Sequence, residues 1–427
     1  MKKMNIAIVG LGNIGSFLYR YLIKNKKKLY KKTGCYPNIK YISARSINKK
    51  RNIKIKKSLW VKNYLDVTKK KDIDIIIELI GGAEGPAKKL VFQSLKNKKH
   101  VITANKALIA KYGDQLSLIA EKNKVNLEFE AAVCGGVPII RSIKEGLIAN
   151  KINKIYGIFN GTSNFILSSM DKNSISFQES LKKAQIMGYA ERNPSSDING
   201  DDVSSKLKIL SALSFNSNLN NKVYVEGIKN IDKIDIQNAN NLGYKVKLLA
   251  FAELIDNKIY QRVHPTLIKK SSYIASIDGV LNAVIVEGNP VGRNVIQGEG
   301  AGPEATTSAL VSDVSSILRG NIKYPFSISS KERKKLNYNN ILKLKFSAYV
   351  RITALDKHGV LSNITKIFSQ NKISIKRIIQ SPFKSKKYAS IVIITHKSAD
   401  ELLMKMISKL TKKPYIVRKP NLIRIDD

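Results

Sequence analysis

Short apolar runs alternate with stripes of apolar residues three and four apart through the first third of the chain. Asn5–Val9 is such a run, and Phe17, Leu18, Tyr21 and Leu22 after it share one face of a helix. Further runs predict strands at Lys40–Arg45, Asp72–Ile80, His100–Thr103 and Asn126–Glu130, with helices at 86–97 and Lys106–Asn123. Strands alternating with helices of these lengths build an α/β fold, a doubly wound parallel sheet. After Pro138 the rhythm changes. Strands near 154–159, 223–227, 258–265 and 281–288 mix with helices at 178–187 and 202–214, the pattern of an α+β domain. The glycine-rich turn Gly298–Gly302 then opens a helix to about Leu318, expected to return to the first sheet. A polar stretch, 327–345, reads as a linker. The tail predicts strand Tyr349–Ala354, turn Asp356–Gly359, helix Val360–Gln370, strands Ile373–Ile379 and Tyr388–Thr395, and helix 399–410. The expected division is residues 1–136 with a return helix at about 300–320, then 137–299, then a βαββα unit at 346–427.

The first strand runs into Gly10-Leu11-Gly12-Asn13-Ile14-Gly15, a G-x-G-x-x-G turn in strand–turn–helix context. Gly10 permits the tight turn, Gly12 lets a pyrophosphate approach the backbone, and Gly15 lets helix and strand pack closely. The helix start at Asn13 and Ile14 directs free N–H groups and a positive dipole end at the phosphates. An NAD site places an acidic residue at the end of the second strand to hold the ribose 2′-hydroxyl. No Asp or Glu precedes Asp66, and the second strand is expected to end on Arg45, with Lys49, Lys50 and Arg51 behind it. A guanidinium there suits a 2′-phosphate. The first domain therefore reads as a Rossmann unit that favours NADP(H) over NAD(H).

Composition narrows the class. Of 427 residues 43% are hydrophobic, enough for two or three domains with cores of their own. No apolar run approaches the roughly 20 residues of a membrane helix, and no membrane partner is expected. A core strand from Asn5 leaves no leader segment to remove. Cys35 and Cys134 are too few for a disulfide framework, so a reducing cytoplasm is expected. A net charge of +43 raises nucleic acid as a partner. The lysines, however, are spread along the whole chain with no aromatic-interleaved basic motif, and Asn and Ile are enriched with them. All three have A/T-rich codons, so base composition accounts for the charge and no nucleic-acid partner is expected.

The densest polar cluster is Gly188–Lys206, with Glu191, Asp197, Asp201 and Asp202 leading into a helix. Asp202 and Lys206, four apart, share a helix face. By spacing alone this fits an acidic helix start with a surface ion pair at least as well as a catalytic pair. Three more stretches change the balance: Ala104-Asn105-Lys106, Glu130–Pro138 and Asn160-Gly161-Thr162-Ser163-Asn164. With them the chain resembles the homoserine dehydrogenases, in order, from the first glycine turn to the Gly300-Ala301-Gly302 helix. The tail, with its Asp356-x-x-Gly359 turn, resembles an ACT domain, a small amino-acid-sensing module that pairs to enclose ligands.

The resemblance implies reduction of L-aspartate 4-semialdehyde to L-homoserine, at the branch toward threonine, isoleucine and methionine. It makes Lys206 the catalytic acid/base. Asp202, with Glu191, would hold the substrate's amino and hydroxyl ends, supported by Asp197. Lys106 would contact nicotinamide or substrate, and Gly188 and Gly302 join the cofactor set. Glu130 with the carbonyls of Val133, Gly135 and Val137 would cradle Na+ or K+. The ACT turn at Asp356 and Gly359 would meet an amino-acid effector, threonine, in a homodimer or homotetramer. A fused aspartokinase is not expected ahead of a strand at residue 5. Burial should lower the Lys206 pKa toward working pH, with Asp202 opposing the shift. The chain departs from the family pattern at Cys134, Ser163, Asn193 and His358, none of them a proposed catalytic residue. The rival reading is an ACT-bearing NADP-dependent dehydrogenase of another small amino or hydroxy acid.

Overall fold

The first sheet has five parallel strands in the spatial order Tyr36–Ser43, Lys3–Val9, Ile75–Glu78, His100–Thr103, Leu127–Glu128. The computed structural model describes every residue except Met1, Asn48, Lys50, Asn52, Asn220, Asn221, 383–386 and Asp427, and the side chain of Pro382 is also undescribed. Lys50 thus lies outside the described residues. Both faces of the sheet are covered, which is why its strands are continuous apolar runs. Ile6 and Ile8 pack with Leu18 and Leu22 of helix Asn13–Thr33 and with Leu310 and Val314 of helix Pro303–Leu318. Ala7 and Val9 pack on the other face with Val67, Ile76 and Leu90. The late helix thus completes the first core. Strand order reverses between Lys3–Val9 and Ile75–Glu78, and such a switch point opens a ligand crevice at the strands' carboxyl ends.

Three expected strands of the first sheet end two residues early in the structure, and the one expected over Asp72–Ile80 is reduced to Ile75–Glu78. The second ends at Ser43, not Arg45; the Ser43 carbonyl accepts the Gly10 N–H at 2.9 Å and the chain then leaves the ladder. The run Asn126–Glu130 is a strand only at Leu127–Glu128, and a 3₁₀ turn, Glu130–Ala132, follows. There the Glu130 carboxylate takes the N–H groups of Ile140 and Arg141, at 2.9 and 2.8 Å, which fixes the turn.

The rest of the chain builds a mixed sheet of twelve strands. Its main path runs Gly292–Glu299, Leu281–Asn289, Lys151–Ile158, Tyr244–Ile255, Lys258–Lys269, Ile416–Asp426, Lys345–Leu355, Tyr388–Thr395, Ile375–Pro382. The tail is therefore βαββαβ: the strand Ile416–Asp426 was not among the expected elements. Arg424–Asp426 runs parallel to Thr266–Ile268 and joins the tail's sheet to the middle one. Helices Gly161–Asn173, Ser195–Asn199 and Lys233–Asn241 and strands Tyr244–Ile255 and Gly292–Glu299 are also additional. Buried Ser163, Asn164, Ser168 and Ser169 hide the first helix's apolar stripe from sequence. The stretch 327–345 is fastened to its surroundings. Arg333 pairs with Asp114 at 2.7 Å, Ser330 Oγ donates to Glu121 at 2.6 Å, and Asn337–Tyr338 pairs with Lys258–Ile259. Among the described residues no helix is long and apolar enough to cross a membrane.

Candidate active site

The glycine turn has the three separate geometries its chemistry requires. Gly10 has φ 105°, and a Cβ there would lie 2.4 Å from the Leu79 carbonyl oxygen. A Cβ on Gly15 would lie 2.2 Å from the Gly10 oxygen, so the helix could not seat. Gly12 has nothing within 4 Å and faces a cleft of about 440 Å³ walled by Asn13, Ile14, Glu78, Gly81 and Asn105. A second cleft, of about 740 Å³, shares Gly12, Leu79 and Ile80 with it and is lined by Arg45, Lys49, Arg51 and Lys62, with no carboxylate. Helix Pro303–Leu318 is capped by Gly302, and its Pro303 and Glu304 wall a further recess with Gly12 and Asn13. The cations are not equivalent. Arg51 donates to the carbonyls of Leu11, Ser46, Ile47 and Lys49, at 2.7–3.3 Å, whereas Arg45 is exposed with no protein partner among the described residues.

Asn105, in the wall of the first cleft, leads into a buried polar centre. Asn105 caps helix Lys106–Lys122 by accepting the Leu108 N–H at 3.1 Å, which sets Lys106 on its first turn. Lys106 Nζ reaches Asp202 Oδ1 at 2.8 Å. Helix Asp201–Ser214 supplies Asp202 and, one turn on, Lys206, whose Nζ lies 2.9 Å from Asp202 Oδ2 and donates to the Phe159 carbonyl at 2.6 Å. Asp197, on the short helix before it, accepts from Asn160 at 2.7 Å, and Asn160 also donates to Asp202 Oδ2 at 2.9 Å. Burial would raise the Asp202 carboxyl, but the two ammoniums overcome it and hold the group well below the usual carboxylate range. Burial would lower Lys206, yet Asp202 prevails and its pKa is raised, the reverse of the expected shift toward neutrality. Asp197 is raised by burial, with Asp202 adding to it. Lys206 is therefore an ammonium at neutral pH.

The other expected residues are placed less centrally. Glu191 is exposed and its side chain has no partner among the described residues, its carbonyl accepting from Gln185. Gly188 follows helix Phe177–Ile186 and lines none of the three clefts. Beside the polar centre, the Cys134 thiol is pushed by burial to about 11. Burial likewise pushes Glu130 to about 7, against the opposing Arg141 and Ile140 N–H groups. The Val133 and Gly135 carbonyls accept no hydrogen bond among the described residues, while that of Val137 takes the Ile139 N–H at 2.7 Å. In the tail, Gly359 caps helix Val360–Gln370, and Asp356 is exposed just before it. Sequence reasoning missed Asn160 and the Phe159 carbonyl as members of the centre. The signal in the sequence was the stretch Asn160–Asn164, which carried the resemblance without a role for Asn160.

The family model described as homoserine dehydrogenase, NAD binding domain, matches residues 10–130, the one described as homoserine dehydrogenase matches 138–315, and that of the ACT domain matches 348–413. A homoserine dehydrogenase of Neisseria gonorrhoeae is 37% identical over all of this chain and 99% of its own. The chain belongs to the homoserine dehydrogenase family. Another homoserine dehydrogenase, from Bacillus subtilis, is 36% identical over 94% of this chain and 93% of its own. The crystal structure of a homoserine dehydrogenase from Thiobacillus denitrificans superposes with a TM-score of 0.93 at 36% identity, covering 100% of this chain and 99% of that one. The homoserine dehydrogenase family comprises NAD(P)-dependent oxidoreductases that act on a CH–OH group, and here the catalytic part carries an ACT domain.

Proposed function

We propose that the protein reduces L-aspartate 4-semialdehyde to L-homoserine, reversibly, with NADPH preferred over NADH. The observation that carries this reading is Asp202 holding two lysine ammoniums, at 2.8 and 2.9 Å, one of them Lys106, which directly follows Asn105 in the wall of the glycine-turn cleft. The bound dinucleotide supplies the hydride. Lys206, kept protonated by Asp202, stabilises the alkoxide oxygen as it forms and delivers its proton there. Lys106, whose side chain is 42% exposed and which holds the other Asp202 oxygen, contacts nicotinamide or substrate in this reading. Glu191 and Asp202 serve the substrate's amino and hydroxyl ends, and Asp197 supports them; Glu191 would have to swing inward on binding. Gly10, Gly12, Asn13, Ile14, Gly15, Gly188 and Gly302 form the dinucleotide site, and Arg45, free in a cleft without carboxylates, takes the 2′-phosphate.

The donor set for Na+ or K+ is Glu130 with the carbonyls of Val133, Gly135 and Val137, an all-oxygen site for a hard cation. Two unengaged carbonyls beside a buried carboxyl fit it, and a cation there would hold Glu130 ionised. Domains at 1–136 with the return helix, 137–299 and 346–427 fit these roles, in a cytoplasmic homodimer or homotetramer that threonine inhibits through Asp356 and Gly359. The test is NADPH oxidation with L-aspartate 4-semialdehyde by the wild type and Lys206→Ala. Wild-type turnover and a loss of about 10²-fold or more in kcat are expected, with NADPH affinity nearly intact. Because the Lys206 pKa is raised, homoserine oxidation, which needs the free amine, should peak at higher pH than reduction. An active variant, or coincident pH optima, would sink the assignment.

A further inference from the structure

We propose that Asn160 is a positioning residue of this centre, a neutral amide that separates Asp197 from Asp202 and turns one Asp202 oxygen to Lys206. The inference rests on the assignment of Asp202 and Lys206 to the reaction. Asn160 is 5% exposed. Its Nδ2 donates to Asp197 Oδ1 at 2.7 Å and to Asp202 Oδ2 at 2.9 Å, and its Oδ1 accepts the Ser163 N–H at 2.7 Å. That third bond fixes the amide's orientation, since a flipped amide would set its oxygen against two carboxylates and its NH₂ against an N–H. The residue before it contributes as well, because Lys206 donates to the Phe159 carbonyl at 2.6 Å. Two consecutive residues therefore hold the Asp202–Lys206 pair, one at each member.

The amide does what no other side chain of its size does here. It offers two N–H groups with no net charge, so two carboxylates approach one another through it without sharing a proton. Without it, Asp197 would face Asp202 directly, and Asp202 would be oriented by Lys206 and the half-exposed Lys106 alone. Around the two carboxylates stand Lys106 on its helix, Lys206 on the helix that bears Asp202, and the Cys134 thiol.

The plainer role, a cap for helix Gly161–Asn173, is separable, because Ser and Asp cap as well as Asn. Asn160→Ser keeps a cap oxygen and removes both amide donors; Asn160→Asp keeps the cap and adds a third carboxylate. Both should melt close to the wild type and bind NADPH normally. We expect Asn160→Ser to lose about 10- to 100-fold in kcat, as misplacement by about 1 Å does. Asn160→Asp should lose more, and the acid limb of its pH–kcat profile should move upward, since added negative charge raises the carboxyl pKa values. Wild-type kcat and an unmoved acid limb in both variants would leave Asn160 a helix cap and overturn the proposal.

If either variant fails to fold, the wild type decides by the ¹³C carboxyl shifts of Asp197 and Asp202 followed against pH. Independent titrations support separation by the amide; one shared two-step titration overturns it. A wild type inactive on the semialdehyde would sink the parent reading alone, since the titration judges the amide without turnover.

Discussion

Arg45 and Arg51 share one loop and are tied differently. Arg51 is held by four backbone carbonyls and stacks over Trp60, so its work is to shape the loop. Arg45 reaches the cleft unengaged. Arg45→Asp should therefore weaken NADPH by about 10-fold or more and narrow or reverse the preference over NADH, through loss of a charge-assisted bond and gain of repulsion. Titration of each nucleotide into wild type and variant measures this, and an unchanged Kd for NADPH would leave Arg45 a surface cation. The acid-free first strands made a basic cleft without carboxylates legible in sequence. Which arginine is free was not legible, because that depends on carbonyls brought round by the fold. The same holds at the polar centre. Asp202 and Lys206 were visible as a pair four apart, whereas Asn160, far away in the chain, meets them only through tertiary packing. The sign of the Lys206 shift was missed because burial was weighted above a carboxylate at 2.9 Å.

Among the elements, strand Lys258–Lys269 has an unusual second edge. Opposite Tyr244–Ile255 it is tiled by three short parallel pairings: Asn337–Tyr338 at one end, Tyr224–Val225 in the middle and Arg424–Asp426 at the other. The last tile is anchored by Arg424, 1% exposed, which bonds Asp400 at 2.7 and 3.0 Å, Glu226 at 2.9 Å and the Tyr224 hydroxyl at 3.0 Å. Burial would lower the guanidinium pKa, but Asp400 prevails and raises it. Arg424→Leu leaves Asp400, fully buried, without its cation. A loss of about 3–5 kcal/mol in urea unfolding is expected, as for other broken buried pairs. A loss below about 1 kcal/mol would show that the contact is not energetically central. The alternating and helical segments of the tail could be read from periodicity, yet this strand could not. Pro420 interrupts it, and its ladder with Lys345–Leu355 shifts register there, between Arg351 and Thr353, where a proline can sit without breaking the sheet.

In the whole molecule the same contacts place the tail within reach of the polar centre. Glu226, bound by Arg424, lies two residues before Ile228, whose N–H bonds the Ile198 carbonyl at 2.9 Å, next to Asp197. A second contact centres on the fully buried Asp235, which takes Arg351 Nε at 2.6 Å and the Tyr349 hydroxyl at 3.1 Å from the tail's first strand. The proposed regulation by threonine is therefore best tested in the intact chain, because removing the tail would uncover the Thr266–Ile268 edge. Asp356→Ala should raise the half-inhibitory threonine concentration by about 5- to 150-fold, the range of a 1–3 kcal/mol coupling. Equal inhibition of variant and wild type would remove Asp356 from effector binding.

The tiled edge also bears on how the protein is made. The strand Lys258–Lys269 leaves the ribosome long before Arg424–Asp426 exists, and at about 5–20 residues per second the interval is on the order of ten seconds. For that time the Thr266–Ile268 end of the strand offers open N–H and C=O groups to any other extended chain. Nascent chains of this protein are thus exposed to mispairing with one another until Arg424–Asp426 has been made, and crowding of polysomes or slow codons between the two strands would lower the yield of native protein without altering a single residue.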